Sequence, residues 1–358
     1  MGVSDTYTRG RRVVVEQPMA VVVGIVGVLV LLDLVRQLAT GTMAVSRLLT
    51  LLTDGIVVGL AVGLAGVGLS MTYSILNFAN FGHGDYVTSG AFTGWAVAYL
   101  VAGIGTVSFG ELVLIEANNI GLSIGQSPVA IFLGLIAAGV GTIALSLVLD
   151  RIVYRPMRDS DGISLLIASI GVALALRYLI AFVWKTGTKG VTASPGKVDF
   201  AGVSFTSHEL TLVLASAGLM LGVHVLLQRT KLGKAMRAMA DNKNLARVTG
   251  IPTERVIRMT WIIGGGLTGI AGYLLVLERG TMSFSFGWVL LLLIFAAVIL
   301  GGIGSIYGAM AGGLIIGVVD AMSIIWLPSG LTRAAAFLIL IVVLLIKPEG
   351  LFGGVKTA

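Results

Sequence analysis

The segment between residues 77 and 85 combines the polar side chains best suited to contact a small molecule. It mixes amides, aromatic rings and glycines between two apolar runs, which is a poor composition for a lipid-facing helix. Irregular backbone at membrane depth is tolerated only where protein or a water-filled path surrounds it. The segment therefore predicts a polar path, and the alternative is a cytoplasmic turn with a surface histidine. The predicted path residues are Asn77, Phe78, Asn80, Phe81, His83 and Asp85.

Metal and catalytic chemistry find little support in the rest of the sequence. His83 and Asp85 lack the further ligands that a closed zinc site needs, and the chain has no cysteine. The three histidines fall in unrelated segments, without a Gly-x-Ser-x-Gly elbow or a His-Glu-x-x-His helix. The phosphate cradle Gly-x-x-x-x-Gly-Lys-Ser/Thr is also absent. We therefore expect a chain that holds no cofactor or metal and hydrolyses no ATP.

Residues 229–252 form a second candidate segment, because basic residues there accompany apolar residues at helical spacing. Gly250 and Pro252 are strong stop signals, so two short amphipathic helices are predicted before them. Such helices suit docking into the groove of a partner protein. The alternative is a helix pair that lies on anionic lipid. The apolar positions are Leu232, Met236 and Met239 in the first helix and Leu245 and Val248 in the second.

Membrane-spanning helices must position both segments. The 358 residues are 56% hydrophobic and 11% charged, and the mean hydropathy of +1.01 lies outside the range of soluble domains. Fifty glycines without a Gly-X-Y period are typical of closely packed membrane helices. An all-α polytopic membrane protein with about ten spans is predicted. The spans lie near 18–38, 48–72, 86–104, 128–149, 163–184, 209–228, 257–277, 286–303, 306–327 and 333–346.

The distribution of Lys and Arg predicts the orientation of these spans. With the N-terminus inside, the inner segments hold 16 of the 24 basic residues and the outer segments hold 7. The positive-inside rule therefore favours both termini on the cytoplasmic side. Residues 105–127 and 185–208 are then outer loops. An even split near residue 185 would make two five-span units that are inverted repeats.

Two parts of the chain, the first apolar run and the stretch 286–327, leave alternatives open. Arg9, Arg11 and Arg12 precede the first apolar run, as they would in a secretory signal. The run is longer than the apolar core of a cleaved signal, so an uncleaved helix is preferred. The glycine-interrupted stretch 286–327 is predicted to form two spans, with a re-entrant piece as the alternative.

Small and charged residues within the spans suggest where helices pack. Glycines at every fourth position share a helix face and permit close approach of a neighbour, with a solute path along the stripe as the alternative. These glycines are Gly55, Gly59 and Gly63, and then Gly304, Gly308 and Gly312. Asp33, Arg177 and Asp320 are placed near span ends, where snorkelling suffices. Asp54 is interpreted as a helix N-cap or as another charge inside a span.

Several motifs resemble the permease subunits of branched-chain amino-acid ABC importers, the leucine-isoleucine-valine type. Residues 229–251 resemble the cytoplasmic coupling loop of that family, with the matches at 230–238, 240–242, 246 and 250–251. Asn77-Phe78-Ala79 and His83-Gly84-Asp85 resemble its Asn-Phe-Ala-His-Gly-acidic signature, although residues 80–82 intervene here. Further similar stretches are 169–171, 301–305 with 308, and 347–353.

The resemblance implies one transmembrane permease domain, residues 1–358, in the cell membrane. A second permease chain, identical or homologous, would help enclose the path, two separate ATPase subunits would bind ATP below it, and an external protein would deliver the solute. Membrane lipid is then the other partner, and nucleic acid is not. The coupling loop, residues 229–256, would act as the lever. Its predicted contact residues are Arg237, Asp241, Asn242, Ala246 and Gly250.

The resemblance also implies the solute class, which is branched-chain or related amino acids. Permeases for sugars, urea or short amides resemble this family closely, so those solutes remain open. An ion-coupled secondary transporter is a further alternative, because it too can use inverted repeats and a broken helix. It would leave the large cytoplasmic loop without a function.

Overall fold

The computed structural model describes residues 18–105, 121–190, 193–200 and 203–353. Within them the chain is mostly helical, as predicted, with twelve α-helices. The helices are α1 Pro18–Ala39, α2 Val45–Leu76, α3 His83–Gly103, α4 Pro128–Leu149, α5 Gly162–Trp184, α6 Ser207–Arg229, α7 Lys231–Asp241, α8 Lys243–Val248, α9 Thr253–Arg279, α10 Phe286–Gly301, α11 Ile306–Ser323 and α12 Thr332–Ile346.

All twelve helices except α7 and α8 coincide with predicted apolar segments. Seven of the described helices, some with a short extension, are long and apolar enough to cross a membrane. Helix α10 has only 16 residues, and α3 begins with the polar residues His83 and Asp85. The count of ten spans therefore stays a prediction. The seven are Val45–Leu76, Pro128–Tyr154, Gly162–Trp184, Ser207–Arg229, Thr253–Arg279, Ile306–Ser323 and Ser329–Ile346.

Helices α2 and α9 form the centre of the molecule. They pack against each other. Helix α2 also packs on α10 and α11, and α9 also packs on α3 and α4. Of the most apolar 18-residue stretch of α9, 83% is buried inside the protein. The corresponding share is 11% for the span Ser329–Ile346. Peripheral helices therefore present their apolar surface outward, where lipid or another membrane subunit must cover it.

Glycines set the close approach between α2 and α11. A Cβ on Gly55 would lie 2.7 Å from the Cα of Val318, and one on Gly59 would lie 2.9 Å from the carbonyl oxygen of Gly313. Gly308 and Gly312 instead face α10, where Gly301 and Ala297 approach them. Gly304 lies in the turn before α11 with a φ of 84°, so it does not extend the stripe along that helix.

A matching glycine contact joins α9 and α4, and the sequence analysis missed it. A Cβ on Gly265 would lie 2.6 Å from the hydroxyl of Ser146, and Gly269 packs just as closely on Ala138 and Thr142. Gly265 and Gly269 are four residues apart in the sequence. The neighbouring glycines at 264, 266 and 272 made this spacing difficult to distinguish.

Helix α3 begins in the interior of the molecule, not at its edge. Nε2 of His83, its first residue, lies 2.9 Å from the carbonyl oxygen of Ala65 and 3.3 Å from the hydroxyl of Thr268, near the middle of α2 and α9. Ala65 precedes the last residue of α2 by a helical rise of roughly 16 Å. The chain between α2 and α3 therefore folds back alongside α2 before α3 starts.

Helix α10 begins at the same place. The backbone N–H of Gly287 donates a hydrogen bond to the hydroxyl of Thr88 over 2.9 Å. Gly84 and Gly287 are so close that a Cβ on either would lie within 3.0 Å of the other's backbone. Two helices thus start beside each other in the interior. The stretch 286–327 thus contains two helices, α10 and α11. The part that folds inward is the connection between α9 and α10.

The described residues contain four short strands, three of them in the predicted outer loop 185–208, which the all-α prediction did not include. Antiparallel pairs join β1 Lys189–Gly190 to β4 Thr281–Met282 and β2 Lys197–Phe200 to β3 Val203–Thr206. The β1–β4 pair links the loop after α5 to the end of α9. Most of the other predicted loop, 105–127, lies outside the described residues, as do Arg9, Arg11 and Arg12.

Candidate functional site

Residues 77–82 form the connection that brings α3 back into the interior. Asn77 ends α2 in the left-handed conformation, with a φ of 55°, and its side chain is exposed. Asn80 is fully buried, and its Oδ1 accepts hydrogen bonds from the N–H of Gly82 at 3.0 Å and from the hydroxyl of Tyr154 at 3.2 Å. The N–H of Phe81 donates to the hydroxyl of Ser169 at 3.0 Å. These bonds hold the irregular backbone in place.

Four of the six predicted path residues are sealed by protein in this conformation. Asn80, His83 and Asp85 are each at most 2% exposed, and the ring of Phe78 is 3% exposed. The alternative of a surface histidine is therefore wrong. Phe81 is half-buried, with its ring centroid 5.1 Å from that of Phe295 on α10. Asn80 Oδ1, His83 Nε2 and the Asp85 carboxylate bond to other parts of the chain, whereas Nδ2 of Asn80 is buried without a hydrogen-bond partner.

Asp85 binds Arg177, a pair that the sequence analysis did not foresee. Nη2 of Arg177 lies 3.1 Å from Oδ2 of Asp85, and Nε lies 3.3 Å from Oδ1. The guanidinium carbon lies 4.3 Å from the centre of the Trp288 ring. Arg177 was expected near a span end. It lies well inside α5 and points into the protein, because Asp85 provides the opposite charge there.

The other charges in the spans lie in different surroundings. Asp33 pairs with Arg36 at 2.7 Å and accepts a hydrogen bond from Nε1 of Trp326 at 2.9 Å. Asp54 lies within α2, which begins at residue 45, so its reading as an N-cap is wrong. Asp320 has one buried oxygen without a hydrogen bond.

A charged cluster joins the α4–α5 connection to the start of α9. The guanidinium of Arg158 lies 2.7 and 2.8 Å from the two oxygens of Asp150, and 2.6 and 2.7 Å from those of Glu254. Nε1 of Trp261 also donates to Asp150 over 2.8 Å. The side chains of Arg158 and Asp150 are only 12% and 11% exposed. Periodicity gave no sign of this cluster, since its members are far apart in sequence.

Aromatic rings connect this cluster to residues 77–82. The ring of Trp261 stacks on that of Tyr154, with centroids 5.3 Å apart and planes at 14°. Tyr154 contacts the Phe78 ring at 5.3 Å and donates its hydroxyl hydrogen to Asn80. Tyr154 ends a π-helical turn, Asp150–Tyr154, and such turns are frequent at functional sites.

Helices α7 and α8 follow the sequence prediction closely. The hydroxyl of Thr230 caps α7 by accepting from the N–H of Gly233 at 3.0 Å, and Asn242 caps α8 by accepting from the N–H of Leu245 at 2.9 Å. Met236 and Met239 are buried against the membrane helices. Arg237 donates to the carbonyl oxygen of Leu227. Asp241 is exposed, Ala246 is buried, and Gly250 ends the pair with a φ of 83°.

A sequence model of the family described as "Branched-chain amino acid transport system / permease component" matches residues 51–346. The chain belongs to this family. It is therefore an integral membrane permease of an ABC importer, in which separate subunits hydrolyse ATP.

Individual relatives agree with the family match. LivH of Salmonella typhimurium (strain LT2), a high-affinity branched-chain amino acid transport system permease protein, is 30% identical over 310 residues, which are 84% of this chain and 94% of the relative. BraD of Pseudomonas aeruginosa is 29% identical over 308 residues, with the same coverage. LsrD of Salmonella paratyphi B, an autoinducer 2 import system permease, is 24% identical over 283 residues, or 75% and 82%. No solved structure matches the chain.

The permease also contains a cavity of about 200 Å³ beside α7. It lies between α7, the ends of α2 and α6, and the turn before α11. The hydroxyl of Tyr307 in its wall accepts a hydrogen bond from Nε2 of Gln228 at 2.9 Å. Among the described residues, no group of three His, Cys or acidic side chains is placed to hold a metal ion. The lining includes Met71, Ile75, Met236, Arg237, Gly304 and Tyr307.

Proposed function

We propose that this permease carries branched-chain or related amino acids inward as one of two permease chains, identical or homologous. Two ATPase subunits drive it and an external binding protein supplies the solute. LivH and BraD, whose names specify branched-chain amino acid transport, support the solute class. The basic helix pair α7–α8 carries the proposal, because it presents apolar side chains to the cytoplasmic side where ATPase subunits would bind.

The exposed surface of α8 favours a protein partner. Leu245 is 60% exposed and Val248 is 81% exposed, one turn apart on a helix of six residues. Exposed Asp241, Lys243 and Arg247 surround them. An apolar pair with a charged rim is the usual pattern of a protein interface. The buried face of α7 binds its own membrane helices, so movement of the pair would reach α2, α6 and α9.

Contacts between connecting segments support the predicted orientation. Arg158 joins the α4–α5 connection to the start of α9, and both segments are predicted to be cytoplasmic. Strand β1 joins the loop after α5 to β4, and both are predicted to be external. We propose on this basis that the N- and C-termini are cytoplasmic and that ten helices span the membrane.

Reciprocal packing supports an inverted repeat of five helices. In the proposed repeat, α1–α5 correspond to α6 and α9–α12. Helix α2 packs on α11 as α9 packs on α4, and α3 packs on α4 as α10 packs on α11. Each repeat has an inward-folding connection after its second helix. Helices α3 and α10, which follow these connections, begin together at Gly84 and Gly287.

We propose that the junction of α3 and α10 borders the solute path. Asn80 and His83 hold the broken backbone there, and Phe78 and Phe81 provide apolar surface beside it. The aromatic contacts from Trp261 through Tyr154 to Asn80 would transmit movement of the coupling loop to this junction. Gly250 supplies the left-handed turn through which α8 returns to α9.

Co-purification tests the proposal against an ion-coupled secondary transporter. An affinity-tagged chain from its native membrane is expected to retain an ATPase subunit and a second permease, because α8 and the peripheral helices require partners. The measurement is mass spectrometry of the purified complex. Solute accumulation driven by an ion gradient, by this chain alone in vesicles, would contradict the proposal.

A further inference from the structure

Arg177 and Asp85 form a charged pair deep within the membrane region. Asp85 lies two residues after His83, which contacts the middle of α2 and α9, and Arg177 lies inside α5. The Asp85 side chain is fully buried, and that of Arg177 is 11% exposed. Charges in spans are costly, and a buried ion pair adds little net stability over apolar residues. Such a pair at this depth points to a function beyond packing.

The surroundings of the pair favour a second negative charge. Asp85 lies in the first turn of α3, and α10 begins beside it at Phe286. The N-terminus of a helix carries partial positive charge, so the start of α3 and the guanidinium of Arg177 both place positive charge at Asp85, and α10 begins nearby at the contact of Gly287 with Gly84. The Arg279 guanidinium lies 5.7 Å from the Phe286 ring and is paired with Glu278 at 3.9 Å.

Arg177 donates to Asp85 through two of its N–H groups. Its two hydrogen bonds to Asp85 measure 3.1 and 3.3 Å, longer than the 2.6–2.8 Å bonds that Arg158 makes to its carboxylates. Arginine offers five N–H donors, so it can bind a second carboxylate in the same plane. Trp288, whose ring centre lies 4.3 Å from the guanidinium carbon, is 38% exposed, so the surface of the subunit lies next to the nearly buried Arg177.

Apolar surface is exposed on the two helices that carry Arg177 and Trp288. Leu174 on α5 is 43% exposed and Leu292 on α10 is 55% exposed, and the Phe81–Phe295 ring pair lies on the same side of α10. A solute with one carboxylate and a branched apolar side chain matches this combination of one cation and apolar walls.

We propose that Arg177 binds the carboxylate of the transported amino acid, and that Asp85 is its internal counterion in the empty permease. This inference rests on the proposed function, since it takes an amino acid as the solute. The solute and Asp85 compete for one guanidinium, so Arg177 binds the solute weakly. The face formed by α5 and α10 then lines the path.

Competition gives a specific test with single charge-removing variants. In purified complex with the ATPase subunits but without the binding protein, D85N is expected to bind L-leucine about tenfold more tightly, because Arg177 has lost its competitor. L-leucinol, which lacks the carboxylate, should bind D85N and wild type equally. R177Q is expected to lose the preference for leucine over leucinol. Equilibrium dialysis measures the affinities of wild type, D85N and R177Q for both ligands.

Control variants separate this role from structural pairing. D33N and R36Q alter a more exposed ion pair on α1 and should leave the leucine-to-leucinol ratio unchanged. The neutral double variant D85N/R177Q leaves no unpaired charge, yet its ATP-driven leucine uptake is expected to fall about tenfold. If D85N gives no monodisperse complex, R177K replaces it in the test. Lysine keeps the positive charge but lacks the planar guanidinium fork, so R177K should weaken the binding of leucine and not that of leucinol.

Two results would overturn the inference. One is an unchanged leucine-to-leucinol ratio in D85N and R177Q, or in R177K where it is used. The other is wild-type uptake by D85N/R177Q, which would mean that the pair only stabilises the fold. If the wild-type complex shows no ATP-driven uptake, the proposed function fails. If it transports and the ratio does not respond, only this inference fails.

Discussion

Replacing Leu245 and Val248 with aspartate is expected to detach the ATPase subunits and abolish ATP-driven uptake. Both side chains are mostly exposed and contribute nothing to the core of the permease. An apolar anchor in the centre of an interface typically contributes about 2 kcal/mol, or roughly 30-fold in affinity. Two buried aspartates would add desolvation costs to that loss. Retention of ATPase subunits on the tagged permease measures the effect, together with uptake in vesicles.

The matched control is N244D, because Asn244 is an exposed polar residue on the same short helix. It adds one negative charge to α8 without removing apolar surface, so ATPase retention should change less than about twofold. If α8 lies on lipid instead, the double aspartate variant would release the helix from vesicles but keep its ATPase subunits. Normal retention in that variant would contradict the docking role of α8.

Replacing Arg158 with glutamine is expected to produce the second large effect, a loss of stability and of coupling. Asp150 would keep its charge in a site where its side chain is 11% exposed, with only the indole N–H of Trp261 as a strong donor. Removing one partner of a buried ion pair costs about 3–5 kcal/mol. The link from Glu254 to the π-helical turn would also be lost. Thermal unfolding of the complex and the ratio of ATP hydrolysed to solute imported measure the two effects.

Arg155 provides the control for this variant. Its Nε lies 3.8 Å from Glu254 and its side chain is 58% exposed, so R155Q should cost less than about 1 kcal/mol. The double variant R158Q/D150N removes the unpaired charge and is expected to regain most of the stability. Its coupling should stay low, since Glu254 still lacks its close contact with Arg158. Equal behaviour of R158Q and R155Q would refute the role of the cluster.

The positions of the helices were predictable because length and apolarity determine them. The helix pair α7–α8 was equally accessible, since Met236 and Met239 follow helical spacing and Gly250 marks the end. The inward folding of residues 77–82 was only partly predicted. Their composition indicated a broken helix, but its depth depends on the carbonyl of Ala65 and on the contact of Gly84 with Gly287, and a carbonyl has no sequence signature.

The charged residues show where prediction from sequence failed. Arg177 was assigned to a span end because its partner Asp85 lies 92 positions away and no periodicity relates them. Arg158 appeared only as a cytoplasmic positive charge. Arg158 is buried because tertiary packing brings Asp150 and Glu254 together around it, and no local sequence pattern indicates that packing.

Uptake into vesicles tests the central claim most directly. Vesicles that contain the permease pair and ATPase subunits, with ATP inside and binding protein outside, are expected to accumulate labelled leucine. Omission of ATP or of binding protein should abolish accumulation, and an imposed ion gradient should not replace either. Accumulation that follows the ion gradient and ignores ATP would contradict the assignment of this chain as an ABC importer permease.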